Sequence, residues 1–214
     1  MKALVSAEIE AYATAHSMEE SETCRALRAE TLEQMDCPQM LVGPLEGAFL
    51  KMVSQLVRAT HVLEIGMFTG YSALCFAEAL PRNGTVTTCE IDETSAAVAR
   101  RYFAASPHGN KIAIRMGPAI DTMRVLNQQY DVIFIDTDKQ NYVNYYRRAK
   151  ELVSPVGVIV IDNVLWDGDV LLHPAPDERT AAIQELNRIV ASDDEVSAAL
   201  LTIRDGVLLV RRKS

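Results

Sequence analysis

The 214-residue sequence predicts a single α/β domain, with a mostly parallel seven-stranded sheet, helices on both faces and a C-terminal antiparallel hairpin. Three observations predict it. Short apolar runs alternate with amphipathic stretches, which is typical of strand–helix repeats. The run at residues 132–135 is almost purely apolar, as in a strand buried on both faces. Two apolar runs flank an Asp-Gly turn at residues 204–206, which is typical of a hairpin.

The N-terminal part of the chain is predicted to be helical. Residues 1–40 are interpreted as a helical arm of the same domain as residues 41–214. Ser17 and Glu20 have the spacing of a capping box at a helix start, and Pro38 should end that helix because proline has no N–H. A second helix is predicted by apolar residues at helical spacing: Leu45, Phe49, Met52, Val53 and Leu56.

The alternation of strands and helices occupies the rest of the chain. The predicted strands are residues 61–65, 86–91, 112–116, 132–135, 158–161, 196–203 and 207–211. The predicted helices are residues 71–80, 93–104, 119–126, 141–152 and 180–191. Asp92 is a candidate N-cap, and Pro155 and Gly157 indicate a turn at residues 154–157. The long irregular stretch at residues 165–178 predicts a functional loop.

The composition limits the classes of function. A formal net charge of −8 disfavours non-specific binding to nucleic acid or to anionic lipid. The four histidines are scattered, which disfavours a zinc site. No apolar run reaches the length of a membrane span, and Glu8 and Glu10 interrupt the first apolar run before a signal peptide can form. We therefore expect a cytoplasmic protein without a membrane or nucleic acid partner.

Polar and glycine residues lie where the first two predicted strands end, and ligands of open α/β sheets bind at such carboxyl ends. Gly66 and Gly70 have G-x-x-x-G spacing, which disfavours a dinucleotide because that fingerprint is G-x-G-x-x-G. Glu64 suits a positively charged amino group, and Glu90 suits ribose hydroxyls. A ligand with a cation, a ribose and no phosphate is S-adenosylmethionine. The alternative interpretation is turn glycines and surface acids.

A second group of polar residues follows the fourth and fifth predicted strands. Asp136, Asp162 and the side-chain carbonyl of Asn163 would converge as three hard oxygen ligands, which suit Mg²⁺. The alternative is that these acids cap helices or face solvent. A neighbouring cation should lower the pKa of Lys139, so that a neutral amine could accept a proton; the alternative is a solvated surface lysine. Trp166 could form a wall for a planar substrate, or merely cover the sheet edge.

Three segments resemble the cation-dependent, S-adenosylmethionine-dependent O-methyltransferases of the caffeoyl-CoA and catechol type. They are residues 62–72 (VLEIGMFTGYS), 134–142 (FIDTDKQNY) and 161–168 (IDNVLWDG), in the family's order and spacing. Residues 40–47 (MLVGPLEG) are similar to the family segment that closes over the cofactor. The resemblance implies a Rossmann-like methyltransferase domain at residues 41–214 and a homodimer.

The resemblance also implies roles for individual residues. The implied cofactor contacts are Val42, Glu64, Gly66, Met67, Ser72, Glu90, Ala119 and Asp136. The implied ligands of Mg²⁺, or of another divalent cation such as Mn²⁺ or Ca²⁺, are Asp136, Asp162 and Asn163. Lys139 matches the general base, and Asp136, which approaches the methyl donor in the family, is assigned with it as catalytic. Trp166 and Asp167 are assigned to the substrate.

The predicted reaction is metal-dependent transfer of a methyl group from S-adenosylmethionine to a hydroxyl of a small catechol-like phenol. The acidic loop at residues 167–178 has just His173 and Arg179 as nearby basic groups, which weakens the case for a coenzyme A thioester. Two alternatives stay open: a tRNA wobble-hydroxyuridine O-methyltransferase of the same superfamily, and a non-catalytic nucleotide-binding protein. The net charge counts against the first, and the intact metal and base residues count against the second.

Overall fold

The structure is a computed structural model that describes residues 5–213; residues 1–4 of the predicted arm and Ser214 lie outside the described residues. The strands are β1 (His61–Ile65), β2 (Thr85–Glu90), β3 (Ile112–Met116), β4 (Tyr130–Ile135), β5 (Val153–Ile161), β6 (Val196–Leu201) and β7 (Val207–Arg212). Within the described range these seven strands form one sheet in the order β3-β2-β1-β4-β5-β7-β6. Strands β1 to β5 pair in parallel, and β7 is antiparallel to both β5 and β6. The predicted sheet and its C-terminal hairpin are therefore confirmed.

Helices cover both faces of this sheet. They are α1 (Ala7–Ala15), α2 (Glu22–Gln34), α3 (Gly43–Leu56), α4 (Tyr71–Ala79), α5 (Glu93–Ala105), α6 (Ala119–Val125), α7 (Tyr142–Leu152) and α8 (Glu178–Ala191). One apolar core joins the sheet to α2, α3, α4 and α5, and a second joins it to α6, α7 and α8. Among the helices of residues 5–213, none combines the length and the apolar character that crossing a membrane requires.

The start of α2 was predicted wrongly. Its N-cap is Ser21, whose Oγ accepts a hydrogen bond from the Cys24 N–H at 3.1 Å. Ser17 instead follows the end of α1, where its hydroxyl donates to the Ala13 carbonyl at 2.7 Å. The arm thus contains two helices, and the capping-box spacing fell in the connection between them. The cap on α5 was predicted correctly, since Asp92 accepts from the Ser95 N–H at 2.7 Å.

Strand β5 begins at Val153, so the predicted turn at residues 154–157 is in fact part of the strand. The pairing of β5 with β4 is irregular there, with a register shift between Tyr130 and Val132. Pro155 is exposed at this irregularity. A bulge tolerates proline because the missing N–H is not needed in the ladder, so the proline did not interrupt the strand.

Helix α3 buries a different face from the predicted one. Of the predicted apolar residues, Val53 is buried, but Met52 and Leu56 are 46% and 75% exposed. The buried residues are Glu46, Gly47, Ala48, Leu50, Lys51, Val53 and Ser54. Hydrophobic periodicity assigns charged side chains to the solvent side. It therefore missed a face that carries two buried charges, Glu46 and Lys51.

Candidate active site

A cavity of about 810 Å³ lies at the carboxyl ends of β1, β2, β4 and β5. Its lining contains most of the predicted site residues: Val42, Gly66, Met67, Ser72, Glu90, Ala119, Asp136, Lys139, Asp162, Asn163, Trp166 and Asp167. Glu64 is not on the lining. The structure therefore brings the predicted cofactor, metal, base and substrate residues to one place, while the role of each stays a prediction.

Gly66 allows the loop after β1 to touch the end of β4. Its φ is +97°, and a Cβ on this residue would lie 1.9 Å from the backbone oxygen of Asp136. The Asp136 N–H also donates to the Ile65 carbonyl at 2.9 Å. Because the obstacle is backbone rather than a flexible side chain, no other residue fits without moving a strand end. Glycine at this position thus places the loop directly against Asp136.

Helix α2 of the N-terminal arm also holds the loop after β1. The Thr31 hydroxyl on α2 donates to the Leu27 carbonyl at 2.8 Å. Since a hydroxyl has one proton, Thr31 must accept from the Thr69 hydroxyl, which lies 2.9 Å away. Both threonines are fully buried. This contact could not be predicted from the sequence, because no local pattern joins residues that are 38 positions apart.

Glu90 ends β2 and is fixed by the backbone. Its Oε2 accepts from the Phe68 N–H at 2.7 Å, and its Oε1 accepts from the N–H groups of Ile91 and Asp92, each at 2.8 Å. A carboxylate has about four acceptor positions. Three of them are taken by these backbone N–H groups, so the half-buried carboxylate on the cavity wall keeps about one position free. A second ligand hydroxyl would have to share an acceptor position with a backbone N–H.

Glu64 lies beneath the loop rather than on the cavity wall. It pairs with Thr88 and Phe134 in the middle of the sheet, and its Oε2 accepts from the Thr88 hydroxyl at 2.5 Å. Burial raises the pKa of the Glu64 carboxyl to about 8, and the neighbouring Ser72 and Thr88 hydroxyls offset only part of this rise. Its Oε1 has no hydrogen-bond partner within the described residues. A buried acceptor without a donor suits a ligand that brings a positively charged amino group.

The three predicted metal ligands lie together at the ends of β4 and β5. One nitrogen, Nζ of Lys139, donates to Asp136 Oδ1 at 3.0 Å and to Asn163 Oδ1 at 2.7 Å. The buried Asp162 carboxylate accepts from the Asn163 backbone N–H at 2.7 Å and from its Nδ2 at 3.0 Å. No cluster of three His, Cys, Asp or Glu side chains suited to an ion occurs between residues 5 and 213. The candidate donor set instead combines two carboxylates with one amide. Two of its oxygens, Oδ1 of Asp136 and Oδ1 of Asn163, already contact the Lys139 ammonium group.

The protein's own charges set the protonation of this group. Burial alone would lower the pKa of the Lys139 ammonium, but Tyr142 and the Asp136 carboxylate outweigh burial and raise it. The sequence-based expectation of a lowered pKa relied on a neighbouring cation, and the protein groups act in the opposite direction. Burial, together with the charges of Glu46 and Asp136, raises the pKa of Asp162 well above its usual range.

Two aromatic residues surround the Lys139 side chain, which is 8% exposed. The Tyr142 hydroxyl accepts from Lys139 Nζ and donates to the Asp162 carbonyl at 3.1 Å. The Trp166 ring centroid lies 5.7 Å from Nζ. The alternative of a solvated surface lysine is therefore wrong. Tyr142 was not singled out in the sequence, although its position three residues after Lys139, at the start of α7, was a usable signal.

The turn between β6 and β7 supports the Trp166 loop, which the sequence did not reveal. Asp205 Oδ1 accepts from the Asp167 N–H at 2.7 Å, and the Asp205 carbonyl accepts from the Leu165 N–H at 2.9 Å. Arg204 pairs with Glu46 at 2.8 Å. Residues 204–206 were predicted only to form the turn of a hairpin. Because β7 runs antiparallel to β5, that turn had to lie at the edge where β5 ends.

Sequence comparisons identify relatives along most of the chain. The O-methyltransferase family model matches residues 14–213. Catechol O-methyltransferase domain-containing protein 1 of Mus musculus is 35% identical over 204 residues, which cover 92% of this chain and 77% of the relative. Caffeoyl-CoA O-methyltransferase 1 of Eucalyptus globulus is 37% identical over 180 residues, which cover 79% of this chain and 73% of the relative.

Solved structures agree with these relatives. The O-methyltransferase TomG of Streptomyces achromogenes, in complex with S-adenosylmethionine, has a TM-score of 0.89 at 26% identity, covering 97% of this chain and 96% of TomG. An O-methyltransferase of Bacillus cereus, in complex with S-adenosylhomocysteine, has a TM-score of 0.88 at 29% identity, covering 96% and 97%. The chain therefore belongs to the O-methyltransferase family and is an S-adenosylmethionine-dependent enzyme of the caffeoyl-CoA and catechol O-methyltransferase type.

Proposed function

We propose that the enzyme methylates one hydroxyl of a small catechol-like acceptor and needs a divalent cation, held by Asp136, Asp162 and Asn163, to do so. One observation carries the proposal: Asp136 Oδ1 and Asn163 Oδ1 accept hydrogen bonds from the same ammonium nitrogen. Two oxygens that share one positive group are arranged to bind a positive charge. The buried Asp162 carboxylate, held by hydrogen bonds to Asn163, completes a set of hard oxygen donors, which Mg²⁺ prefers.

The residues of the cavity, together with Glu64 beneath its loop, also fit S-adenosylmethionine. The unpartnered Glu64 Oε1 suits the amino group of its methionine part. Glu90, fixed by three backbone N–H groups, suits the ribose hydroxyls. Gly66 keeps the loop close to Asp136, because a side chain there would collide with backbone. These residues would hold the methyl donor beside the proposed cation ligands.

The remaining residues position the acceptor and remove its proton. A divalent cation, when bound, supplies a charge that lowers the pKa of a neighbouring hydroxyl. A vicinal diol suits a site with three protein ligands, since Mg²⁺ prefers six. Lys139, whose Nζ donates to Tyr142 and Asp136, would accept the hydroxyl proton in its neutral form, which a divalent cation on the neighbouring oxygens would favour by lowering the pKa of the ammonium. Trp166 offers an aromatic surface to a planar acceptor, and alignment of the reacting groups then provides much of the rate enhancement.

An acceptor panel tests this proposal. We expect methyl transfer to catechol and to substituted catechols in the presence of Mg²⁺, with the products identified by mass spectrometry. Matched monophenols, which lack the second hydroxyl, should react at least about 100-fold more slowly, because positioning of the reacting oxygen is lost. Methylation of hypomodified tRNA without methylation of any catechol would contradict the proposal and support the tRNA alternative.

The role of Glu90 in cofactor binding gives a second test. Replacing Glu90 by alanine removes a charged acceptor, so the affinity for S-adenosylmethionine should weaken by about 1.5–3 kcal/mol. Titration calorimetry measures this change. Glu93→Ala is the matched control, because Glu93 lies three residues later, outside the cavity lining, and pairs with Arg100 at the surface. Equal affinities for the two variants would contradict the assignment of Glu90.

Three further expectations stay predictions. The homodimer and the cytoplasmic location were inferred from the family resemblance and from the composition. The boundary between the arm and the methyltransferase domain at residue 40 was inferred from the sequence. Sedimentation analysis of the purified protein would test the first of these.

A further inference from the structure

Arg204 enters the cavity from the turn between β6 and β7. Its φ is +47°, a left-handed value that residues other than glycine rarely adopt. The turn lies beside the end of β5, because Leu208 of β7 pairs with Ile161 of β5. The Arg204 side chain is only 17% exposed, and it lines the cavity. A strained backbone and a charged, largely buried side chain thus meet at the edge of the sheet that carries the site.

The guanidinium group uses only part of its hydrogen-bonding capacity on the protein. Its Nη1 donates to the Val42 carbonyl and, at 2.8 Å, to Glu46 Oε2. Nε and Nη2 make no hydrogen bond to any residue from 5 to 213, and neither atom is sealed in the core. Arginine has five N–H donors. A guanidinium that served only to neutralise Glu46 would be expected to place both ends of its fork on that carboxylate.

The neighbouring charges keep Arg204 cationic. Burial alone would lower the pKa of its guanidinium, but the Glu46 and Asp162 carboxylates raise it. The side chain is therefore a permanent positive charge that lines the cavity and keeps unused donors. Such a group matches an oxyanion, and a carboxylate in particular, because the planar fork can bind both of its oxygens.

We propose that Arg204 binds a carboxylate of a ligand in this cavity through Nε and Nη2. A carboxylate reaches the cavity from one of two sources. The first is the methionine part of S-adenosylmethionine, the cofactor of this enzyme class. The second is an acidic substituent on the acceptor, and this source rests on the proposed function.

The test compares two variants that leave no buried charge without a partner. Arg204→Met alone would strand Glu46, which is costly. We therefore compare Glu46→Gln with the double variant Glu46→Gln/Arg204→Met. Both proteins are first checked by thermal unfolding. Arg204→Lys in the natural background is a further variant that keeps the charge beside Glu46 but removes the fork.

The first arm measures cofactor binding by titration calorimetry, with S-adenosylmethionine and with its decarboxylated analogue. If Arg204 binds the cofactor carboxylate, removing the arginine should weaken binding of S-adenosylmethionine about 10- to 100-fold more than binding of the analogue. This factor corresponds to the range for hydrogen bonds to charged groups. The second arm measures kcat/KM for 3,4-dihydroxybenzoate and for its methyl ester. If Arg204 binds the acceptor carboxylate, the ratio of acid to ester should fall by a similar factor.

A change in either arm supports the proposal and identifies the source of the carboxylate. The proposal is overturned if loss of Arg204 weakens binding or turnover by the same factor for both members of each ligand pair. If the double variant does not fold, the proposal is overturned when Arg204→Lys prefers the carboxylate-bearing member of each pair as strongly as the unaltered protein does. The outcome is separable from that of the proposed function. If the unaltered enzyme methylates neither the acid nor the ester, the proposed function fails, while the calorimetric arm still decides the role of Arg204.

Discussion

Replacing Asp162 by alanine is expected to abolish metal-dependent methyl transfer. Asp162 is a buried carboxylate whose two oxygens are directed by Asn163, and we assign it as a cation ligand. The charge stabilisation that a cation provides is worth several kcal/mol, so kcat/KM should fall by at least about 100-fold. Affinity for S-adenosylmethionine should change by less than about threefold, because Asp162 is not one of the proposed cofactor contacts.

The same substitution should not destabilise the fold. Burial raises the pKa of Asp162, and so do the like charges of Glu46 and Asp136, which means that the ionised carboxylate is unfavourable where it stands. Removing it relieves that repulsion. We expect the thermal midpoint of Asp162→Ala to equal or exceed that of the unaltered protein, as is common where a site is maintained for function at the expense of stability. Differential scanning calorimetry without added metal measures this.

Chelation provides the independent comparison. EDTA should remove the activity of the unaltered enzyme, and excess Mg²⁺ should restore it, whereas Asp162→Ala should stay inactive at every Mg²⁺ concentration. Asp169→Ala is the matched control, because Asp169 lies in the loop after β5 but not on the cavity lining. Full activity of a thoroughly metal-stripped sample would disprove the cation site, and the proposed mechanism with it.

The sheet could be predicted because its signals are local. The bounds of β1 and β3 were predicted correctly, since each is a short apolar or β-branched run that is bounded by turn residues. Once the strands were known to be parallel, their carboxyl ends had to share one edge. That rule alone places Asp136, Asp162 and Glu90 at one edge.

The long-range contacts that hold the site, and the depth of its side chains, could not be predicted in this way. Arg204 and Glu46 are 158 residues apart and form an ion pair, and no periodicity links positions so distant. Glu64 was predicted to contact the cofactor because it lies near the end of β1. A residue inside a central strand is covered by its neighbours, however, and its carboxyl lies under the loop. Sequence patterns indicate which edge carries the chemistry but not how deep each side chain lies.

Replacing Lys139 by methionine is expected to lower turnover of an unactivated catechol by about 10²- to 10⁴-fold, the usual contribution of general acid–base catalysis. Methionine keeps an apolar stem of similar length and removes the amine. The acceptor KM should change less, because the cation and its ligands are proposed to hold the acceptor hydroxyls. Steady-state kinetics with saturating S-adenosylmethionine separate the two parameters.

The structure adds a second effect that this experiment must separate. The Lys139 ammonium donates to Asp136, Tyr142 and Asn163, so the variant also removes a positive charge from the proposed cation ligands. Lys139→Arg is the matched control, because arginine keeps the charge but does not lose its proton in proteins. If Lys139 acts as a base, the arginine variant should be as impaired as the methionine variant; if it acts only as a charge, arginine should restore much of the turnover.

The acidity of the acceptor distinguishes the base from the cation as the cause of proton loss. A nitro-substituted catechol is already acidic, so its hydroxyl can lose a proton without help from a neighbouring amine. The loss of turnover in Lys139→Met should therefore shrink on the nitro compound, whereas the loss in Asp162→Ala should persist because positioning is still impaired. Near-normal turnover of unactivated catechol by Lys139→Met would show that the amine removes no proton. The Lys139 ammonium, which the carboxylate of Asp136 and the hydroxyl of Tyr142 hold in the cavity, would then serve as a fixed charge.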